Sequence, residues 1–207
     1  MADLRDVLAI PQIYQALQRT GGFFGARLIA MQRYLPLAEG SRIVDVGCGP
    51  GYLREHLPAS SQYFGFDTDE RYIARACQTQ QPQDRYRCQI FDEAAAAEVA
   101  PVDIIMMNGL LHHLTDDEAR NLLTASVSAL NPGGRIFTLD GCYVPGQTLF
   151  RKTLLDWDRG QYVRTAERYK ALFPSDAVSL SAHVDEDLSR ISYTFLSIVA
   201  TKHGTAR

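Results

Sequence analysis

An α/β sandwich of three layers, with a mostly parallel sheet between two layers of helices, is the fold class this sequence predicts. Three observations carry the prediction. Short β-like runs alternate with amphipathic stretches from about residue 41 to residue 140, and glycine fills every second position just after the first of those runs. The chain then closes with two β-rich runs joined by a polar segment. Such alternation makes βαβ units, whose crossovers put helices on both faces of a parallel sheet.

Residues 11–37 read as two helices. Tyr14, Leu17, Phe23, Phe24, Leu28, Met31 and Leu35 recur at helical spacing around a break at Gly21-Gly22. The β-like runs follow at 43–46, 62–66, 85–90, 102–107 and 135–139, with helices expected over 52–57, 70–79 and 116–130. Pro58 and Pro82 act as stops, and Asn131-Pro132-Gly133-Gly134 is a helix C-cap ahead of the fifth strand. Near the C-terminus, runs at 177–183 and 193–201 flank Asp185-Glu186-Asp187-Leu188-Ser189-Arg190 and read as a hairpin. No internal repeat interrupts the pattern.

At 207 residues the chain suits one domain, enough to bury roughly 70% of its unfolded surface. Its parts are expected to be N-terminal helices over 1–40, a ligand-binding core over 41–140, a cover over 141–174 and the hairpin over 175–207. A formal charge of -3 gives no general attraction for nucleic acid. Cys48, Cys77, Cys88 and Cys142 form no C-x-x-C pair and no zinc-finger spacing, so neither a metal nor a disulfide scaffold is expected. Residues 1–11 lack the long apolar region of a signal peptide and the ~20 residues of a membrane span, so the expected location is the cytoplasm, away from membranes.

The most telling stretch is Ile43-Val44-Asp45-Val46-Gly47-Cys48-Gly49-Pro50-Gly51. Glycine allows positive φ and lets a ligand lie against the backbone, and a helix opening at the last glycine would offer free N–H groups to an anionic end. A dinucleotide site reads G-x-G-x-x-G; this one reads D-x-G-x-G-x-G, with a carboxylate two residues before the first glycine. Asp67 closes the second β-run and Asp92 follows the third, while the fourth runs into Asn108-Gly109-Leu110-Leu111-His112-His113.

These residues resemble motif I and the later motifs of class I S-adenosylmethionine-dependent methyltransferases, from residue 42 to the C-terminus. The resemblance implies a Rossmann-like sheet of seven strands in the order 3-2-1-4-5-7-6, ending in an antiparallel hairpin. It also implies S-adenosylmethionine as cofactor, with Asp45, Gly47, Cys48, Gly49 and Gly51 around its methionine part, together with Asn108 and Gly109. Asp67, with Thr68 beside it, would take the ribose hydroxyls, unless Asp67 only caps the next helix. Asp92 would bond the adenine amino group, with Phe91 against the ring, unless Asp92 is a plain surface turn.

Methyl transfer is an in-line displacement at an activated carbon, so a positioned acceptor matters more than a protein nucleophile. His112 and His113 follow the fourth strand and are the candidate general bases, although the resemblance implies a turn-stabilising hydrogen bond as the alternative for His113. The cover begins past the end of the fifth strand, and its segment 151–170 carries six basic residues against three acidic ones. Arg159, Tyr162 and Arg164 are therefore candidates to grip a polar or anionic small acceptor, or to tie the cover down by ion pairs. The N-terminal helices, with Tyr14 and Phe23-Phe24, are expected either to form a second lid over the cofactor or to pad the sheet edge. The function expected is methyl transfer to an O or N atom; the alternatives are a cofactor-binding protein without transferase activity and an NAD(P)-dependent oxidoreductase. Nucleic-acid methylation is disfavoured by the charge and by the lack of an Asn/Asp-Pro-Pro-Tyr-type motif. Oligomeric state is not encoded in any of these signals.

Overall fold

The computed structural model describes residues 22–79, 81–157 and 160–204. Five parallel strands form the centre: β1 (Arg42–Val46), β2 (Gln62–Asp67), β3 (Arg85–Cys88), β4 (Val102–Asn108) and β5 (Leu130–Tyr143). A two-residue strand, β6 (Arg164–Thr165), pairs beside the end of β5, and the chain returns through β7 (Val178–Asp185) and β8 (Phe195–Lys202). The sheet order is β3-β2-β1-β4-β5-β8-β7, with β8 antiparallel to both of its neighbours. Setting the short β6 aside, this is the expected 3-2-1-4-5-7-6.

Alternation along the central strands builds the three layers. Ile104 and Met106 of β4 join Ile43, Tyr63 and Phe137 on the face covered by α1 (Phe23–Tyr34), which contributes Ala26, Ala30 and Met31. Ile105 and Met107 join Val44, Val46 and Phe66 on the other face, under α3 (Glu93–Val99) and α4 (Asp116–Ala129). Each such Ile or Met leaves water on folding, worth roughly 1.5–3 kcal/mol apiece. Thr115 and Glu118 form a reciprocal capping box that starts α4 where the sequence expects it.

Three local expectations are corrected. The helix over 52–57 is only a 3-10 turn, Arg54–His56, because Pro58 ends the segment almost as soon as it leaves the glycine loop. α3, unforeseen, is a run of four alanines between glutamates, with too little apolar contrast to show a helical period. β5 begins at Leu130 and absorbs the Asn131–Gly134 turn as an irregularity between the Val102 and Ile104 pairings, with Gly133 at φ 78. α2 (Glu70–Ala76) lies as expected, though shorter.

α1 is held to the sheet edge. Its Arg33 donates to Asp185 of β7 at 2.7 Å and its Tyr34 hydroxyl donates to the same carboxylate at 2.9 Å. Tyr14 and the first expected helix up to Gly21 lie outside the described residues. No described helix is long and apolar enough to cross a membrane.

Candidate cofactor and acceptor site

Strand order reverses between β1 and β4, and in open α/β sheets the crevice beyond that switch point is where ligands bind. The loop after β1 borders it. Gly47, Gly49 and Gly51 all have positive φ, at 74, 54 and 78°. A Cβ on Gly51 would also sit 2.8 Å from the Tyr86 hydroxyl, so two constraints meet there.

The loop amides bond within the protein, where the sequence predicts N–H groups offered to an anionic end. Gly47 and Cys48 N–H both donate to Phe66 O, at 2.8 and 3.0 Å, Gly51 N–H donates to Cys48 O at 3.1 Å, and Gly49 N–H donates to the Asp67 carboxylate at 2.8 Å. With only a 3-10 turn behind them, there is no helix N-terminus to receive a carboxylate. The cation at hand is Arg27 of α1, absent from the expected set. One of its guanidinium nitrogens lies 3.4 Å from where a Cβ on Gly109 would be, and its charge acts on Asp45.

Asp45 is 1% exposed at the end of β1. One carboxylate oxygen accepts from the Tyr63 hydroxyl at 2.7 Å, and the other has no partner. Burial pushes its carboxyl up to about 7, against the pull of the Tyr63 bond and of Arg27. Asn108, at the end of β4, likewise holds a buried side-chain oxygen with no partner. An orphaned buried acceptor costs about 1–3 kcal/mol, so two at neighbouring strand ends suit a ligand group rich in N–H donors, such as an ammonium.

Asp67 receives Gly49 N–H on one oxygen and Asp69 N–H, at 2.9 Å, on the other, leaving lone pairs on both. Capping of α2 falls to Asp69, whose side chain accepts from Arg71 N–H. Thr68 is exposed beside it, its carbonyl accepting from the Cys88 thiol. Asp92 is exposed and caps α3, accepting from Ala95 N–H at 2.9 Å. Phe91 is buried and packs edge-on against Phe66 at 5.0 Å. The apolar side chain turned outward at this strand end is Ile90, 64% exposed.

The two histidines part company. His113 is exposed, whereas His112 is 6% exposed in the 3-10 turn Leu111–His113. Its Nδ1 lies 2.7 Å from a carboxylate oxygen of Asp140, which also accepts the His112 backbone N–H at 3.2 Å. Asp140, on β5 and 3% exposed, keeps its other oxygen without a partner. The carboxylate fixes Nδ1 as the donor and leaves the lone pair on Nε2. This pairing joins residues 28 apart in sequence and was not expected; a carboxylate ending the fifth strand was its one visible signal.

The cover closes over this turn. α5 (Leu149–Asp156) leads toward Gly160, where an added Cβ would overlap the His112 ring, and Tyr162 N–H donates to His112 O at 2.9 Å. Arg164 has its donors engaged within the protein. Its guanidinium is buried and donates to Asp116, Leu111 O, Tyr162 O and Leu114 O at 2.7 to 2.8 Å. It therefore ties the cover to the core through Asp116 and backbone carbonyls; Asp158, one of the two expected partners, lies outside the described residues. Tyr162 is partly exposed with the Arg164 guanidinium 5.8 Å from its ring centre; Arg159 lies outside the described residues. Trp157 holds a buried indole N–H without a partner among the described residues.

Comparison with known proteins agrees with this arrangement. The family model described as "Methyltransferase domain" matches residues 44–136. Trans-aconitate 2-methyltransferase of Variovorax paradoxus is 31% identical over 143 residues, covering 67% of this chain and 54% of that protein. Ubiquinone biosynthesis O-methyltransferase of Xylella fastidiosa is 34% identical over 115 residues, covering 54% of this chain and 46% of that one. The chain thus spans about half the length of the curated relatives it matches. Among solved structures, the N-methyltransferase NodS of Bradyrhizobium japonicum shares the fold with a TM-score of 0.63 at 16% identity, over 87% of this chain and 94% of that one. The sheet order, the glycine loop between Asp45 and Asp67, and these matches make the chain a member of the class I S-adenosylmethionine-dependent methyltransferase family.

Proposed function

We propose that the chain transfers the methyl group of S-adenosylmethionine to a hydroxyl oxygen of a small polar molecule, with His112 as general base. The observation that carries this reading is the buried His112–Asp140 pair at 2.7 Å. A carboxylate acceptor needs no base, and an amine can lose its proton after transfer. A hydroxyl must release its proton as the new bond forms. An imidazole, with an ordinary pKa of about 6.5, is suited to take it.

When bound, the cofactor supplies a methyl group on a positively charged sulfur. The residues that would hold it fit its parts: the orphaned oxygens of Asp45 and Asn108 suit the ammonium, Arg27 the carboxylate, and the remaining lone pairs of Asp67 the two ribose hydroxyls. Asp92 has one oxygen beyond its cap bond for the adenine amino group, and Ile90 is the apolar neighbour for the ring. His112 Nε2 would accept the acceptor's proton while Asp140, on Nδ1, stabilises the imidazolium. The cover, drawn onto the same turn, keeps water from that proton transfer. Positioning of this kind can supply on the order of 7–11 kcal/mol of the barrier reduction.

An anionic acceptor rested on Arg159, Tyr162 and Arg164; with the Arg164 donors engaged, a polar acceptor is the better match. The O-methylation in the name of the Xylella fastidiosa relative is the same class of transfer. The test is tritium transfer from labelled S-adenosylmethionine to a panel of phenols, catechols and hydroxy acids between pH 6 and 9. His112→Ala should lose about 10²–10⁴-fold in turnover with S-adenosylhomocysteine affinity unchanged in calorimetry. Turnover in that variant equal to wild type at every pH would sink the base assignment. No binding of S-adenosylhomocysteine by the wild type would sink the transferase reading itself.

A further inference from the structure

Arg164 joins the two halves of the His112–Asp140 pair. Its backbone belongs to β6, where it pairs with Cys142 of β5, two residues beyond Asp140. Its side chain reaches the other half: one terminal nitrogen donates to Leu111 O at 2.8 Å and the other to Leu114 O at 2.7 Å, the carbonyls that bracket His112 and His113. Leu111 O already accepts the Leu114 N–H that closes the 3-10 turn, at 3.2 Å, so the guanidinium caps the carbonyl end of the turn with positive charge. From α4, Asp116 holds the Nε side at 2.8 Å. The guanidinium carbon also lies 5.6 Å from the ring centre of Tyr169, whose hydroxyl donates to Gly141 O, the residue after Asp140.

We propose that Arg164 is a positioning residue for the base: it fixes the turn that carries His112 relative to the strand that carries Asp140, and so holds the imidazole with Nδ1 on the carboxylate. The inference rests on the reading of His112 as base. A tie that served only to fasten the cover could end anywhere on the core surface. This one ends on the carbonyls either side of His112 and His113, besides Tyr162 O and Asp116. The planar fork of arginine reaches three carbonyls and a carboxylate at once, which the single ammonium of lysine cannot do.

The test needs no acceptor. Full-length protein carrying ¹⁵N-labelled histidine is titrated by long-range ¹H–¹⁵N correlation with S-adenosylhomocysteine present, and His112 is assigned among the five histidines from the spectrum of His112→Asn. In the wild type, neutral His112 should carry its proton on Nδ1 alone. In Arg164→Gln the two tautomers should mix and the titration midpoint should move by about 0.5 or more, a change of about threefold or more in the protonation ratio. Arg164→Lys should fall between, and S-adenosylhomocysteine affinity should stay within about twofold of wild type in both. If Arg164→Gln does not fold, Asp116→Asn, which loosens the same guanidinium, carries the comparison. A folded variant whose His112 tautomer and midpoint match wild type overturns the proposal and leaves Arg164 as a fastening only. Failure of the base reading is seen separately, as His112→Ala turnover equal to wild type.

Discussion

Tyr63 of β2 and Asp45 of β1 meet diagonally across the paired strands, the phenol donating at 2.7 Å to a carboxylate that is 1% exposed and has no other hydrogen bond among the described residues. The pair leaves a buried acid half satisfied, and the cost depends on pH. Burial raises the Asp45 carboxyl from its ordinary 3.8 to about 7, so between those values the folded protein holds a proton that the unfolded chain has released. The stability tied to Asp45 is therefore present in full below about pH 4 and is lost as pH rises through 7. The gap corresponds to on the order of 4 kcal/mol. Asp45→Asn keeps an oxygen for Tyr63 and does not titrate. Without cofactor, its melting temperature should rise relative to wild type between pH 5 and pH 8, while its affinity for S-adenosylhomocysteine drops. A melting difference that is flat across that range would remove the buried acid from the account.

This division between stability and binding bears on what could be read before folding. Layers were legible because Ile104/Met106 and Ile105/Met107 are apolar on both faces of one strand, which only a sheet covered twice requires. Strand order was not; it came with the family resemblance that the spacing of Asp45, Gly47, Gly49 and Gly51 carries. His112 could be nominated, but not told apart from His113, because the difference is Asp140, brought near by the pairing of β4 with β5. Arg164 could be read as a grip or as a tie, and its partners stayed hidden for a similar reason. Its partners Leu111 O and Leu114 O are backbone groups, invisible to any reading of side-chain charge.

Asp92 illustrates a residue whose two roles can be separated by experiment. Its bond to Ala95 N–H starts α3, a short helix of alanines that buries Ala95, Ala96 and Val99. Removing a cap of this kind costs about 1 kcal/mol. Asp92→Ser retains a capping oxygen but loses the second acceptor and the charge, whereas Asp92→Ala loses both. If the carboxylate also meets the adenine amino group, denaturant midpoints should separate the alanine from the serine variant, while calorimetry should find both weaker than wild type for S-adenosylhomocysteine. Equal affinity in all three proteins would leave Asp92 as a cap alone.

Arg27 is the residue whose role follows from what the loop lacks. The amides of Gly47, Cys48, Gly49 and Gly51 already donate within the protein, so the proposed site gives the carboxylate of a bound methionine moiety to a cation instead. Arg27 approaches Gly109 from α1 and already acts on Asp45. A charge-assisted bond of this type is worth about 1.5–3 kcal/mol, so Arg27→Met should weaken S-adenosylhomocysteine binding by about 10- to 150-fold. The decarboxylated nucleoside supplies the control, because a ligand without the carboxylate should bind wild type and Arg27→Met alike, giving a coupling energy close to the full loss. If the variant weakens both ligands to the same degree, Arg27 acts on the shape of the pocket or on Asp45, and α1 is a support for the sheet edge more than a lid.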